Sequence, residues 1–291
     1  MHYLYLKPWQ MKMNILLSSD LDRTILPNGT QPESPQARIK LRQFASRPEV
    51  TLAYVSGRHE ALIRQAISQY RIPLPDYAIG DVGTTIYEIH NQDWQPWHEW
   101  SQAIASDWNG ATNVDLARLF AELSELRMQE HEKQNTFKLS YYARSDLDHR
   151  ALINEMYAIL TKHEVNASLI WSVDEAVNVG LLDVLPASAT KLHAIQFLIE
   201  RKGFNPLDTV FAGDSGNDLP VVTSGEQQSV LVKNAHPEVI EAAIKALREK
   251  AAEDKLYIAK GGFLKMNGYY SAGVLEGVAH FLPQVGNWLE D

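Results

Sequence analysis

Cysteine is missing from all 291 residues, so neither a disulfide framework nor a cysteine-based zinc site is available, an absence that fits a reducing compartment. Positive charge is in short supply. The 27 Lys and Arg stand against 36 Asp and Glu, a net charge of −9, which argues against a groove for nucleic acid or another general polyanion. A local basic pocket stays open. No apolar run approaches the roughly 18 residues of a membrane span, and the opening "MHYLYLKPWQMKMN" is too interrupted by Lys7, Pro8 and Lys12 to act as the apolar core of a signal peptide. Internal repeats and low-complexity tracts are missing too. These absences predict a cytoplasmic globular protein without membrane or nucleic-acid partners. Its folded part is expected to begin near Met11 or Met13, with residues 1–11 as an N-terminal extension.

What is present is an ordinary core-forming composition, 45% hydrophobic and 22% charged, over a length that suits two domains. The first part alternates: "MNILLSS" and "VTLAYVSG" have strand character, while "SPQARIKLRQFASR" and "HEALIRQAISQY" have helical periodicity. Such alternation predicts an α/β fold with a doubly wound parallel sheet. "PDYAIGDVGTTIYEI" adds two strand-like pieces broken by Gly80 and Gly83. The pattern then changes. Residues 91–110 hold four of the seven tryptophans, followed by a helix expected near 113–131 and a strand in "TFKLSYYA". "SDLD" opens a second helix, its Ser145 and Asp148 having capping-box spacing, and two further strands lie in "ASLIWSV" and "AVNVGLLDVL". Residues 90–182 therefore read as a smaller α/β domain inserted into a core of residues 12–89 and 183–291. Alternation resumes with "TKLHAIQFLIERKG", "DTVFAGD", "SVLVKN" and "PEVIEAAIKALREKAAE", with Pro237 in the first turn of its helix.

Two acidic clusters each follow an apolar strand-like run: "SSDLDRTIL", with Asp20 and Asp22 one residue apart, and "GDSGND", with Asp214 and Asp218. Side chains at i and i+2 of a strand share a face, so Asp20 and Asp22 would repel one another if the strand continued. In a doubly wound sheet the carboxyl ends of the strands share one edge, where ligands bind. Four carboxylates gathered there call for a cation, and hard oxygen donors without cysteine or paired histidine point to Mg²⁺. A carboxylate can attack phosphorus and split hydrolysis into two easier steps through an aspartyl-phosphate. A neighbouring carboxyl can protonate the leaving oxygen and later take a proton from water. Asp20 as nucleophile and Asp22 as acid/base meet that demand.

"DLDRT", "VSGR", "SATKLHA" and "GDSGND", in that order, resemble the four motifs of the haloacid dehalogenase (HAD) phosphatase superfamily. The long gap between Ser56 and Lys191 is similar to the subgroup that carries an α/β (type C2) cap between the second and third motifs. Within it, "DVGTTIY", "FKLSYYA", "LLDVLP" and "SAGVLEGVAHF" resemble sucrose-6-phosphate phosphatase and its relatives. The resemblance implies a Mg²⁺-dependent phosphatase acting on a sugar phosphate, with sucrose 6-phosphate first and a sucrose-phosphate synthase as partner. It implies that Asp20 is phosphorylated, Asp22 is the acid/base, Ser56 donates to phosphoryl oxygens and Lys191 neutralises the transferring group. Asp20, Asp214, Asp218 and a backbone oxygen of Asp22 would hold Mg²⁺, and Gly57, Arg58, Lys138 and Asn217 would meet the substrate. Arg23 departs from the family pattern, which has Gly or Asn there, and the segment "WSVDEAVNVGLLDVLP" is longer than the family's compact loop.

Blander readings stand beside these. Asp, Thr, Pro and Gly form turns after any strand, so one motif alone says little and the ordered set carries the weight. The tryptophan stretch suits either an aromatic platform for a sugar or ordinary core packing. His90, His98 and His131 lack the i, i+4 spacing of a helical zinc pair. Other glycosyl phosphates, such as mannosylfructose, glycosyl-glycerate or glycosylglycerol phosphate, fit the same chemistry, and so does a phosphomutase. A non-catalytic sugar-phosphate sensor would have no use for an acid/base beside a nucleophile.

Overall fold

A computed structural model describes residues 14–174 and 177–290, so the expectations for residues 1–11 and for a start near Met11 or Met13 lie outside the described residues. The strands are β1 (Ile15–Ser19), β2 (Val50–Val55), β3 (Tyr77–Gly80), β4 (Thr85–His90), β5 (Asp93–Pro96), β6 (Arg127–Met128), β7 (Leu139–Arg144), β8 (Ala167–Asp174), β9 (Val179–Pro186), β10 (Thr209–Gly213), β11 (Gln228–Leu231) and β12 (Leu256–Ile258). The fold is α/β with a parallel-rich sheet, as the alternation predicts. No helix among the described residues is long and apolar enough to cross a membrane.

The chain divides into two compact units. One comprises the stretch up to Ser19, Arg23–Leu52 and Lys202 onward. Its strands lie in the order β12-β11-β10-β1 and all pair in parallel. Every residue of β1 is buried, which is why "ILLSS" reads as a run rather than an alternation: a parallel strand is covered on both faces. The register sets Ser19 opposite Ala212 and Gly213 opposite Leu231. The helix Ser271–Phe281 packs on β11 by way of Gly277, where an added Cβ would stand 2.3 Å from Val230 Cγ2. The helix Pro237–Glu249 begins on its proline, whose missing N–H would have been unpaired there anyway.

The other unit comprises Asp20–Asp22 and Ala53–Arg201. Here β2 pairs in parallel with β3, and β3, β4 and β5 form antiparallel ribbons. A second sheet, order β6-β7-β9-β8, is antiparallel throughout. It alternates faces: Leu139, Tyr141, Leu182 and Val184 join Trp108 and Met156 in one apolar cluster, while Ser140 pairs with Asp183 between them.

Two expectations change. The helix near 113–131 is only Asn113–Leu119, started by a capping box between Thr112 and Asp115. Beyond it Arg127 and Met128 pair with Tyr142 and Tyr141, so a long-range strand partner overrides the helical propensity of "ELRMQEHEK". The helix His149–Lys162 is capped by Asp148 itself, which accepts the N–H groups of Arg150 and Ala151, leaving Ser145 upstream of the cap. Among the four clustered tryptophans, Trp94, Trp100 and Trp108 are buried and Trp97 lies between the Tyr77 and Phe197 rings, so packing is their role.

Candidate active site

β1 ends at Ser19, so the chain leaves the strand before its two acids and their side chains are not bound to one face. Each meets its own cation inside the second unit. Lys191, the first residue of the helix Lys191–Lys202, donates from Nζ to Asp20 Oδ1 at 2.7 Å, and both residues are buried. Arg58 forks onto Asp22, Nε to Oδ2 at 2.8 Å and Nη2 to Oδ1 at 2.6 Å. That hydrogen-bonded carboxylate raises the guanidinium above its ordinary value, with burial opposing. Two like charges one residue apart are thus tolerated because two separate cations offset them. Ser56, at the end of β2, is buried: its N–H donates to the Ile79 carbonyl and its hydroxyl accepts the Arg58 N–H at 3.2 Å. Gly57 is exposed at the tip of the same turn.

The turn after β3 lies against this loop, with the Asp81 N–H donating to the Arg58 carbonyl at 3.0 Å. Asp81 and Val82 both have positive φ, 51° and 61°, a conformation rare for a β-branched residue. It is held from several sides: Thr84 Oγ1 donates to the Asp81 carbonyl and Trp100 Nε1 to the Gly83 carbonyl. Burial pushes the Asp81 carboxyl above the usual range, opposed chiefly by Lys138, whose Nζ stands 4.0 Å away. Asn135 donates to Thr84 Oγ1. An open cleft of about 390 Å³ is lined by polar side chains such as His59, Asp81, Gln134 and Asn135 together with the apolar faces of Ala61 and Tyr87.

The first unit carries the other acids. Asp214 follows β10 directly, and Asp218 closes a short 3₁₀ turn, Gly216–Asp218, by accepting the N–H groups of Asp214 and Ser215 on Oδ2. Gly213 makes this possible, since a Cβ there would lie 2.7 Å from Asp218 Cγ. Asp214 takes Thr24 Oγ1 on Oδ1 at 3.3 Å and Arg23 Nε on Oδ2 at 3.0 Å. Burial and then the Asp218 charge raise its carboxyl above the usual range, and Arg23 and Thr24 pull it back. Asn217 is exposed and accepts the Ser215 hydroxyl. Asp214 and Asp218 are buried oxygen donors of the kind a hard cation takes.

Sequence reasoning did not assign Asp81, Asn135, Thr24, Asn234 or the destination of Arg23. Thr24 carried a signal, being the threonine of "DLDRT", and Asp81 carried one in the strand-ending "GDVG". Arg23 and Asn234 carried none, because their partners are distant in sequence.

A family model described as "Sucrose-6F-phosphate phosphohydrolase" matches residues 13–282. A Nitrosococcus oceani protein named only by its HAD-like hydrolase class is 57% identical over 96% of this chain and 75% of its own length. "Probable sucrose-phosphatase 2" of Arabidopsis thaliana is 27% identical over 89% of this chain, which spans 60% of that longer protein. The solved sucrose-phosphatase of Synechocystis sp. PCC6803, in complex with sucrose and phosphate, superposes with a TM-score of 0.68 at 25% identity, covering 92% of this chain and 98% of that one.

Proposed function

The chain belongs to the sucrose-6F-phosphate phosphohydrolase family and is a phosphatase of the HAD type, and on that premise we propose that it is Mg²⁺-dependent and hydrolyses a sugar phosphate, sucrose 6-phosphate first among candidates. The observation that carries this reading is the buried pair of Asp20 and Lys191 at 2.7 Å, with a second carboxylate, Asp22, two positions on and held by a different cation. One acid is fixed beside a positive charge where phosphoryl negative charge would develop. The other is half exposed, where it can exchange protons.

Asp20 attacks phosphorus and breaks its bond to the sugar oxygen, forming the aspartyl-phosphate, while Asp22 delivers a proton to the departing sugar. Asp22 then takes a proton from water as the water oxygen attacks phosphorus and frees Asp20. Lys191 balances the charge on the transferring group, and the Ser56 hydroxyl donates to it. Arg58 orients Asp22. Asp20 directly follows β1 and Asp214 directly follows β10, and carboxyl ends of strands are where doubly wound folds take ligands. Asp20, Asp214, Asp218 and the Asp22 backbone oxygen are the ligands proposed for Mg²⁺. When bound, it would supply positive charge to the phosphoryl oxygens.

Residues 90–182 are proposed as the cap that selects the sugar, with Lys138 beside Asp81, and Gly57, Arg58 and Asn217 nearer the phosphate. A sucrose-phosphate synthase is the partner this reading implies. The test is phosphate release by wild type and Asp20→Asn over sucrose 6-phosphate, mannosylfructose phosphate, glycosyl-glycerate phosphate and glycosylglycerol phosphate, with and without Mg²⁺. One substrate should stand out, and Asp20→Asn should lose at least about 10³-fold in turnover. Equal low rates on every sugar remove the sugar assignment, retained turnover in the variant removes the nucleophile, and an isomeric phosphate without free phosphate indicates a mutase.

A further inference from the structure

The fold gives the side chain of Arg23 a fixed destination. Its backbone sits at φ 60°, an uncommon conformation for a residue with a Cβ. Two bonds hold it: the Arg23 N–H donates to Asn28 Oδ1 at 2.8 Å, and its carbonyl accepts from Asn234 Nδ2 at 2.6 Å. The guanidinium is fastened twice as well, donating from Nε to Asp214 Oδ2 at 3.0 Å and from Nη2 to the Asn234 carbonyl at 3.3 Å. Arg23 and Asn234 therefore clasp each other, and the clasp aims one fixed positive charge at a buried carboxylate. The Arg23 side chain is 36% exposed and that of Asp214 only 1%.

Resting on the Mg²⁺ reading of Asp214, we propose that Arg23 is a resident counter-cation of the metal site, neutralising Asp214 beside Asp218 in the metal-free protein and weakening the site's hold on Mg²⁺. The same Oδ2 cannot give its full field to two cations, and a guanidinium cannot be discharged at any ordinary pH. Arg23 is thus a positioning residue. A merely structural clasp would act oppositely, because loosening Asp214 would make Mg²⁺ bind more weakly.

The experiment uses the full chain and Mg²⁺ alone. Calorimetric titration of wild type, Arg23→Gln and Arg23→Lys is paired with thermal unfolding of the metal-free proteins and of Asp214→Asn with and without Arg23→Gln. Neither replacement at residue 23 is glycine or asparagine, so the strained backbone is not relieved at the same time. Arg23→Gln should bind Mg²⁺ about fivefold more tightly, a figure discounted for the exposure of the guanidinium, and Arg23→Lys should stay within about twofold of wild type. Without metal, Arg23→Gln should lower the unfolding midpoint by about 3 °C, and that loss should vanish in the Asp214→Asn background. Equal or weaker Mg²⁺ binding by Arg23→Gln overturns the inference alone, as does a midpoint loss that persists in Asp214→Asn. Absence of Mg²⁺ binding by every protein overturns the inference and the Mg²⁺ reading together.

Discussion

Adding one methyl group at Gly213 should disable the acidic turn of the first unit. The new Cβ would meet Asp218 at its Cγ and Oδ2, both 2.7 Å away, and at its Cβ, 2.8 Å away. The last of these is not the far end of a flexible chain but the root of the side chain, fixed by the 3₁₀ turn that Asp218 closes. Relief therefore requires Asp218 to swing out and give up the Asp214 and Ser215 N–H groups, at 3.0 and 3.2 Å. Overpacking of this kind costs about 1–3 kcal/mol, and two bonds to a carboxylate, partly replaced by water, add about 1–2 kcal/mol. We expect Gly213→Ala to lose about 3 kcal/mol, seen as a midpoint lower by roughly 6–12 °C in thermal unfolding. The double-mutant cycle with Asp218→Gly isolates the clash: once residue 218 has lost its Cβ as well as its carboxylate, the alanine at 213 should add little. A Gly213→Ala protein within about 1 °C of wild type, or additive losses in the cycle, would refute the reasoning.

Other substitutions test the remaining parts. Lys138→Met should raise KM for the sugar phosphate about tenfold, the worth of one charged hydrogen bond, and leave hydrolysis of a small aryl phosphate nearly unchanged, as steady-state assays on both will report. Asp148→Ala should cost about 1 kcal/mol in urea unfolding by exposing the first turn of the helix His149–Lys162, with no change in turnover. Tyr257 is pushed up to about 12 by burial and then by its hydrogen bond to the Glu276 carboxylate, so folding favours its neutral form. The stability this contributes is whole below the ordinary tyrosine value of 10.0 and is lost as pH rises towards about 12. Tyr257→Phe should flatten that alkaline loss, measured as the urea midpoint at pH 9 and pH 11.

Much of this protein was open to reading along the chain. Apolar runs ending in "SSD" and "AGD" marked strands β1 and β10 and placed acids beyond their carboxyl ends. Local chemistry suffices there, since period, turn residues and caps are properties of neighbouring residues. It failed where a distant partner decided. "ELRMQEHEK" has helical propensity, but Tyr141 and Tyr142 turned Arg127 and Met128 into a strand. The tryptophans gave no sign of which faces the core would cover.

The sequence by itself determined the kinds of elements, their order, and the acids and bases available to the chemistry. Only the tertiary structure decided which cation meets which acid. Arg58 reaches Asp22 across 36 positions, Lys191 reaches Asp20 across 171, and Arg23 reaches Asp214 across 191. Such pairings depend on strand order, register and the direction of each turn, all set by long-range packing, and a positive residue in isolation carries no mark of the carboxylate it will face.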